Sequence, residues 1–336
     1  MTSMRRWWRT VAGLAVAALF VMLLARRVDW LDVRRVLAGA DWRPLVLALV
    51  ALSADMAARI TRWWWMVRAV EPGLPLASCV RPFLASLALN NTVPLRAGDV
   101  IRVFGFKRAL RAPTAHLVGT LVLERMLDLL MLLAILLVGV LGTSGVFPRP
   151  FIVTAEVVGL VGVAALLAIT LFPGPITSVI QRLVARLFAR RGWLPAASAA
   201  VTQLTGALAL LRSPARALRL VGFTLLAWLL EGAVFACVMW SLHIQVPWPA
   251  PWLSLGAATL ATLLPSSPGY VGTFDYFAAL GVTAYGATPA SSAAFALLTH
   301  LVLWLPVTTA GLVALLVGKS RVIAKTGAQP LHADPA

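Results

Sequence analysis

The sequence predicts an all-α integral membrane protein. About six crossing helices and two re-entrant, broken helical hairpins are expected within a single polytopic membrane domain over residues 1–320. Three observations carry this expectation. Of the 336 residues, 60% are hydrophobic and the mean hydropathy is +0.89. Only 12% are Asp, Glu, Lys or Arg, about half the share of an average soluble domain. Between Glu231 and Lys319 the only residue of those four types is Asp275, a run that no water-facing fold requires. The net charge of +17 raises nucleic acid as a partner. However, Arg and Lys cluster beside apolar runs, as on cytoplasmic flanks of membrane helices that meet anionic headgroups, so nucleic acid is set aside.

Six segments are long enough to cross, given about 20 residues per crossing: 8–25, 43–61, 115–141, 151–172, 216–242 and 292–317. The first follows a basic "MRRWWR" start, as a signal peptide would. Arg26 and Arg27 come directly after it without a small-x-small cleavage site, so an uncleaved span is expected. Segment 26–42 must then face out, although it carries Arg26, Arg27, Arg34 and Arg35 against Asp29, Asp32 and Asp41. Either it is an amphipathic helix on the outer surface, or the first crossing is misplaced.

Two apolar stretches are too short or too broken to cross. The first, 80–95, is ended by Pro94 within "LALNNTVPLRAGDVIR" (87–102), which brings Asn90, Asn91, Pro94, Arg96, Gly98, Asp99 and Arg102 close together. The second, 252–285, is interrupted by "LPSSPGYVGTFD". Pro265 and Pro268 stop a helix there, and Gly269 and Gly272 let the backbone turn or approach closely. Freed N–H groups and half-helix ends then face an anionic or zwitterionic group. Turn formation alone is the plainer reading.

Orientation follows from the basic residues. Segment 173–215 holds Arg182, Arg186, Arg190, Arg191 and Arg212 and no acidic residue, and reads as a cytoplasmic amphipathic helical loop. Segment 101–114 and a disordered tail over 321–336 also read as cytoplasmic. Loops 142–150 and 243–251 hold one Arg between them and face out. Both termini are then cytoplasmic. The first broken segment begins and ends inside and the second outside, each flanked by crossing helices. This is the pattern of an inverted repeat with a transport site near the midplane. The alternative is two independent hairpins that only pack the bundle.

Ionisable groups inside the membrane are costly and usually functional. Here they are Asp55 and Arg59, Glu124, Arg125 and Asp128, Glu156, Glu231 and His300, with Asp275 at the second break. Asp55 and Arg59, four apart, share a helix face and can pair. Glu124 and Asp128 also share a face, and two carboxylates so placed repel unless a cation or proton intervenes. Arg125 points about 100° away from them, so Arg96 or Arg102 are the candidate partners. Two readings stay open: an ion-pair network that fixes helix packing, or a site for a charged headgroup or a proton. Glu231 has no neutralising neighbour in its own helix, and needs either a proton or a cation from another element. Glu156 lies near a helix end and can reach water. A lone His300 on an apolar helix is ordinarily a hydrogen-bonded packing residue. Cys79 and Cys237 have no metal-ligand spacing. The "GKS" at 318–320 lacks the upstream Gly of a phosphate-binding loop, because position 313 is Val. No metal, cofactor or direct use of ATP is expected.

Three motifs, in order, carry a resemblance to a known family. They are Asn90, Pro94, Arg96, Gly98, Asp99 and Arg102; then Glu124, Arg125 and Asp128; then Pro265, Ser267, Pro268, Gly269, Gly272, Phe274 and Asp275. The Arg62–Trp63 pair adds to them. Over about residues 10–320 the chain resembles the transmembrane flippase region of lysylphosphatidylglycerol synthases and related stand-alone proteins. The resemblance implies a bacterial inner-membrane protein that moves lipids between leaflets. In the synthases the lipid is an aminoacylated phospholipid, and in stand-alone relatives polyprenyl-linked sugars or hopanoids are involved. It implies a lipid partner with an anionic, zwitterionic or aminoacylated headgroup, and a homo-oligomer or lipid-pathway enzymes as further partners. These 336 residues hold no aminoacyltransferase domain, so lipid synthesis is not expected. His300 stands where many relatives carry Arg.

The leading expectation is therefore a lipid flippase and not an enzyme. Arg96 and Arg102 would meet phosphate, and Glu124, Asp128, Glu231 and Asp275 would accept a cationic headgroup or carry protons. One alternative is a membrane glycosyltransferase-like enzyme using Asp29 and Asp32 as paired carboxylates. Another is a non-transporting scaffold or accessory subunit.

Overall fold

A computed structural model describes residues 2–26, 28–93, 97–141, 149–172, 178, 179, 182, 186, 209–264 and 267–326. Every regular element among them is helical. Helix α1 (Thr2–Ala25) is followed by α2 (Trp30–Ala38) and α3 (Trp42–Val67). Two aspartates start the latter pair. Asp29 accepts the Leu31 N–H at 2.8 Å and Asp41 accepts the Arg43 N–H at 2.9 Å, each satisfying a backbone donor that a helix start leaves unpaired. Segment 26–42 is thus helical in its middle, and α2 packs against the last helix.

Next come α4 (Ala77–Thr92), α5 (Ala97–Phe104), a single turn α6 (Lys107–Leu110), α7 (Thr114–Leu141) and α8 (Arg149–Leu171). A 3-10 turn at Ala209–Arg212 precedes α9 (Pro214–Ser241) and α10 (Ala250–Ala261). A second 3-10 turn, Pro268–Tyr270, leads to α11 (Thr273–Thr283) and α12 (Pro289–Thr326). Most of the 173–215 loop lies outside the described residues, as do Pro94, Arg96, Pro265 and 327–336. Helix α12 continues to Thr326, so the first residues of the expected tail are helical.

All six expected crossings fall on helices. Three are long and apolar enough to cross: α3, α9, and α12 up to Val317. Helix α7 is as long as α9, at 28 residues, but gathers Glu124, Arg125 and Asp128 in its middle. The apolar runs of α1 and α8 are shorter, Gly13–Ala25 and Ile152–Gly162. Both broken segments are present as breaks. Helices α10 and α11 have 12 and 11 residues, well short of the roughly 20 of a crossing.

Packing links the two halves of the chain. Helices α3 and α9 lie side by side, α4 and α5 pack together, and so do α10 and α11. The first broken segment rests on α12 through α4, and the second rests on α7 through α10. A core cluster around Phe235, Phe274 and Phe295 joins α9, α11 and α12, with ring centroids 6.2 and 6.0 Å apart. Another, around Trp63, Phe83 and Leu117, joins α3, α4 and α7. The α4–α5 contact depends on Gly98, where an added Cβ would fall 1.8 Å from the Ser86 carbonyl oxygen.

Candidate functional site

Helix α3 presents Asp55, Arg59 and Arg62 on one face, because positions four and seven residues on recur on the same side of an α-helix. The facing side of α9 carries Thr224, Trp228 and Glu231 at the same spacing. Helix α7 brings Asp128 against both. From these three stripes a charged network forms.

Arg59 is its hub. Its Nε donates to Asp55 at 2.7 Å, one Nη donates to Glu231, and Asp128 lies 4.0 Å from the other. Its guanidinium also sits 5.2 Å from the centre of the Trp228 ring. Arg62, fully buried, holds Asp128 with both Nη atoms, at 2.7 and 3.3 Å, and donates to Thr224 at 2.9 Å. Trp228 Nε1 donates to the same Asp128 carboxylate at 3.3 Å. Glu231 therefore takes its cation from α3, 172 residues away in sequence.

A second pair lies behind the first. Arg102 is buried between the rings of Trp63 and Phe83, 5.0 Å from each, and donates to Glu124 at 3.1 Å. Glu124 and Asp128 thus share a face of α7 without repelling, since each has its own guanidinium. Arg125 donates to Asp99 at 3.3 Å, and Asn90 Nδ2 donates to the same carboxylate at 3.0 Å. These contacts tie α4, α5 and α7 into one unit. Breaking a buried pair by removing one partner typically costs about 3–5 kcal/mol.

The network forms one wall of a cavity of about 520 Å³, in the range of small-molecule sites at about 300–1,000 Å³. Asp55, Arg59, Arg125, Asp128 and Glu231 line it, with Asn90 and Asn91 from α4, Thr259 and Thr262 from α10, and Tyr270 from the second break. Leu52, Met56, Leu87, Leu129, Leu132, Leu303 and Val307 complete the walls. The chamber is both ionic and apolar. It lies between the two broken segments and is bounded by α3, α4, α7, α9, α10 and α12.

At the second break, Asp275 caps α11: its Oδ2 accepts the Gly272 N–H at 2.9 Å. Its Oδ1 lies 2.8 Å from His300 Nδ1, and His300 Nε2 lies 3.0 Å from the Gly269 carbonyl. A neutral imidazole has one donor, yet both ring nitrogens face oxygens. His300 thus ties α12 to the break, as a hydrogen-bonded packing residue does. Gly269 adopts φ +70°, and Ser267 donates to the Val271 carbonyl at 3.1 Å.

The predicted residues sort as follows. Asn90, Arg125, Asp128 and Glu231 line the cavity. Asp99, Arg102 and Glu124 support it from behind, and Gly98 sets how closely α5 packs. Ser267, Pro268, Gly269, Gly272 and Asp275 build the second break, from which Tyr270 reaches the cavity. Arg96, Pro94 and Pro265 lie outside the described residues. The pair Asp55–Arg59, the buried Arg62 and Trp228 were not among the predicted site residues. Their shared signal was the four- and seven-residue spacing on α3 and α9. Of the two aspartates of the enzyme alternative, Asp29 caps α2, and exposed Asp32 pairs with Arg35 at 2.6 Å. Among the described residues no group of three His, Cys, Asp or Glu is placed to hold a metal ion.

Long apolar helices, two broken segments and an internal charged chamber define a helical membrane protein with a polar interior site. The chain belongs to the family described as the lysylphosphatidylglycerol synthase TM region, which matches residues 10–311. It is also similar to glycosyltransferase AglD of Haloferax volcanii, at 24% identity over 342 aligned residues. That alignment covers 89% of this chain and 54% of AglD, so the chain spans about half the length of this curated relative.

Proposed function

We propose that this chain carries an amphiphilic lipid, a phospholipid or a polyprenyl-linked lipid, between the leaflets of a bacterial cytoplasmic membrane. The observation that carries this reading is the 520 Å³ chamber, where five ionisable side chains share walls with leucines. A headgroup needs the first, and the adjoining hydrocarbon needs the second. The two broken segments act as opposed halves of an inverted repeat. Their reciprocal packing supports this, since each segment rests on a long helix of the other half. Asp55 and Glu231 share Arg59, Asp128 is held by Arg62, and Arg125 pairs with Asp99, so the wall presents both signs of charge, as a zwitterionic headgroup requires. The chain acts as a transporter and not as an enzyme, with both termini cytoplasmic.

The test is leaflet exchange in vesicles. The purified chain would be reconstituted with fluorescent phospholipids and with a fluorescent polyprenyl phosphate, and outer-leaflet quenching followed over time. Wild type is expected to exchange at least one of them, and Arg59→Ala or Glu231→Gln to abolish that exchange while still inserting and remaining monodisperse. Absence of exchange by wild type for every lipid, or wild-type rates in both variants, would refute the assignment.

The similarity to AglD favours a second reading, a membrane component of glycan transfer. An Asp29→Asn/Asp32→Asn double variant discriminates. Loss of a glycosyl-transfer activity with lipid exchange intact would favour the enzyme. No change in either is expected of the transporter, because these side chains only cap α2 and pair with Arg35.

A further inference from the structure

Beside the charged chamber lies a second cavity, of about 360 Å³, between α7, α10 and α11, and every side chain lining it is apolar. The two cavities run along the same helices. On α7, Arg125, Asp128, Leu129 and Leu132 line the charged chamber, and Leu136 and Val140 line the apolar one. Positions 125, 129, 132, 136 and 140 recur at steps of three or four, so they form one continuous helix face. From Asp128 to Val140 that face runs about 18 Å along the axis. A molecule lying on it meets ionic groups first and hydrocarbon after.

We infer that the cleft between α7, α10 and α11 holds a hydrocarbon tail of the lipid whose headgroup occupies the charged chamber. This rests on the proposed lipid transport. The cleft is a built feature. At Gly139 an added Cβ would fall 2.8 Å from the Leu253 backbone, and at Gly256 it would fall 3.3 Å from Leu136 Cα. Helices α7 and α10 therefore touch backbone to backbone, and their spacing is set without intervening side chains. Val140 and Leu253 are buried within the cleft, whereas Leu264 and Leu280, each 43% exposed, stand at its rim. The cleft thus opens to the outside of the helix bundle at this apolar rim. A tail that moves from bilayer to cleft gains little hydrophobic free energy, because lipid chains are as apolar as leucine. Its contribution is register: it holds the lipid lengthwise on α7 while the headgroup changes partners.

The experiment uses the full chain in phosphatidylcholine vesicles doped with probes bearing a diazirine in the tail: phosphatidylglycerol, phosphatidylethanolamine and polyprenyl phosphate. After irradiation, peptide mass spectrometry locates the adducts. The expected result is adducts on α7, α10 and α11 at cleft residues such as Leu136 and Leu260, with a yield that depends on the headgroup. Glu231→Gln, in the other cavity, should lower that yield, and Ala257→Phe, which fills the cleft, should lower it by about tenfold. Equal yields for all three headgroups, unchanged by Glu231→Gln, would mean ordinary bilayer lipid and overturn the inference. So would the absence of adducts there in wild type, a result that needs no variant to fold. Exchange measured in the same vesicles separates the two claims. Headgroup-dependent adducts without exchange remove the transport reading alone. Exchange at the wild-type rate in Ala257→Phe removes the tail site alone.

Discussion

Arg59 and Arg62 sit less than one helical turn apart on α3 and both lie beside Asp128, yet their surroundings assign them different work. Arg62 is fully buried and grips Asp128 with two N–H groups, whereas Arg59 borders the chamber and divides itself between Asp55 and Glu231. Arg62→Ala strands Asp128 in the interior, and a loss of about 3–5 kcal/mol is expected, read as a lower thermal unfolding midpoint in detergent. Arg62→Lys should recover part of it, because an ammonium keeps the charge but not the two-pronged grip. Arg59→Ala strands both Asp55 and Glu231, so it should lower the unfolding midpoint as well as remove lipid exchange, whereas Arg59→Lys, which keeps the charge, should recover stability more than exchange. At the second break, His300→Ala deletes the ring nitrogens that contact Asp275 and the Gly269 carbonyl. Faster thiol labelling of a Ser267→Cys reporter in the His300→Ala background would show the break loosened; an unchanged rate would mean that Pro268 and the glycines suffice. The carboxylates were conspicuous in the sequence as charges in apolar runs. Arg62 was noted only within the Arg–Trp pair of the family resemblance, and its burial against Asp128 was not legible, since a basic residue near a helix end normally reaches water.

The elements themselves were largely legible. Hydrophobic run length against bilayer thickness marks α3, α9 and α12, and Pro and Gly mark the breaks, because each acts on the backbone within a residue or two. The amphipathic helix offered for segment 26–42 is present as α2, and the capping aspartates Asp29 and Asp41 give its local cause. What the sequence left open was which broken segment touches which helix. Gly98 shows how such contacts are set. Ala at this position pushes a methyl group into the Ser86 carbonyl, which cannot rotate away as a side chain would. Gly98→Ala is expected to cost about 1–3 kcal/mol or more, and to loosen the Asn90–Asp99–Arg125 contacts with it. Thermal unfolding of the variant, with a surface Gly73→Ala control, measures this.

Across the whole molecule, orientation is the property on which the inverted-repeat reading stands. A thiol at position 247 (Pro247→Cys) is expected to label from the outer face, and one at 190 (Arg190→Cys) only from the cytoplasm. Cys79 is buried and Cys237 half-buried, so a cysteine-free background is a modest change. The opposite labelling would invert the map, and the two broken segments would exchange sides.

By itself the sequence determined the class of protein, the helices and the places where they break. These follow from local physics: apolar length must match a membrane, and proline and glycine redirect the chain where they stand. Only the tertiary structure decided the partners. Asp128 meets Arg62 across 66 residues and Glu231 meets Arg59 across 172. The charged and apolar cavities line up only because α7 and α10 close on each other at Gly139 and Gly256. A buried carboxylate announces that it needs a cation, but which cation reaches it depends on how distant helices pack, and no local rule carries that information.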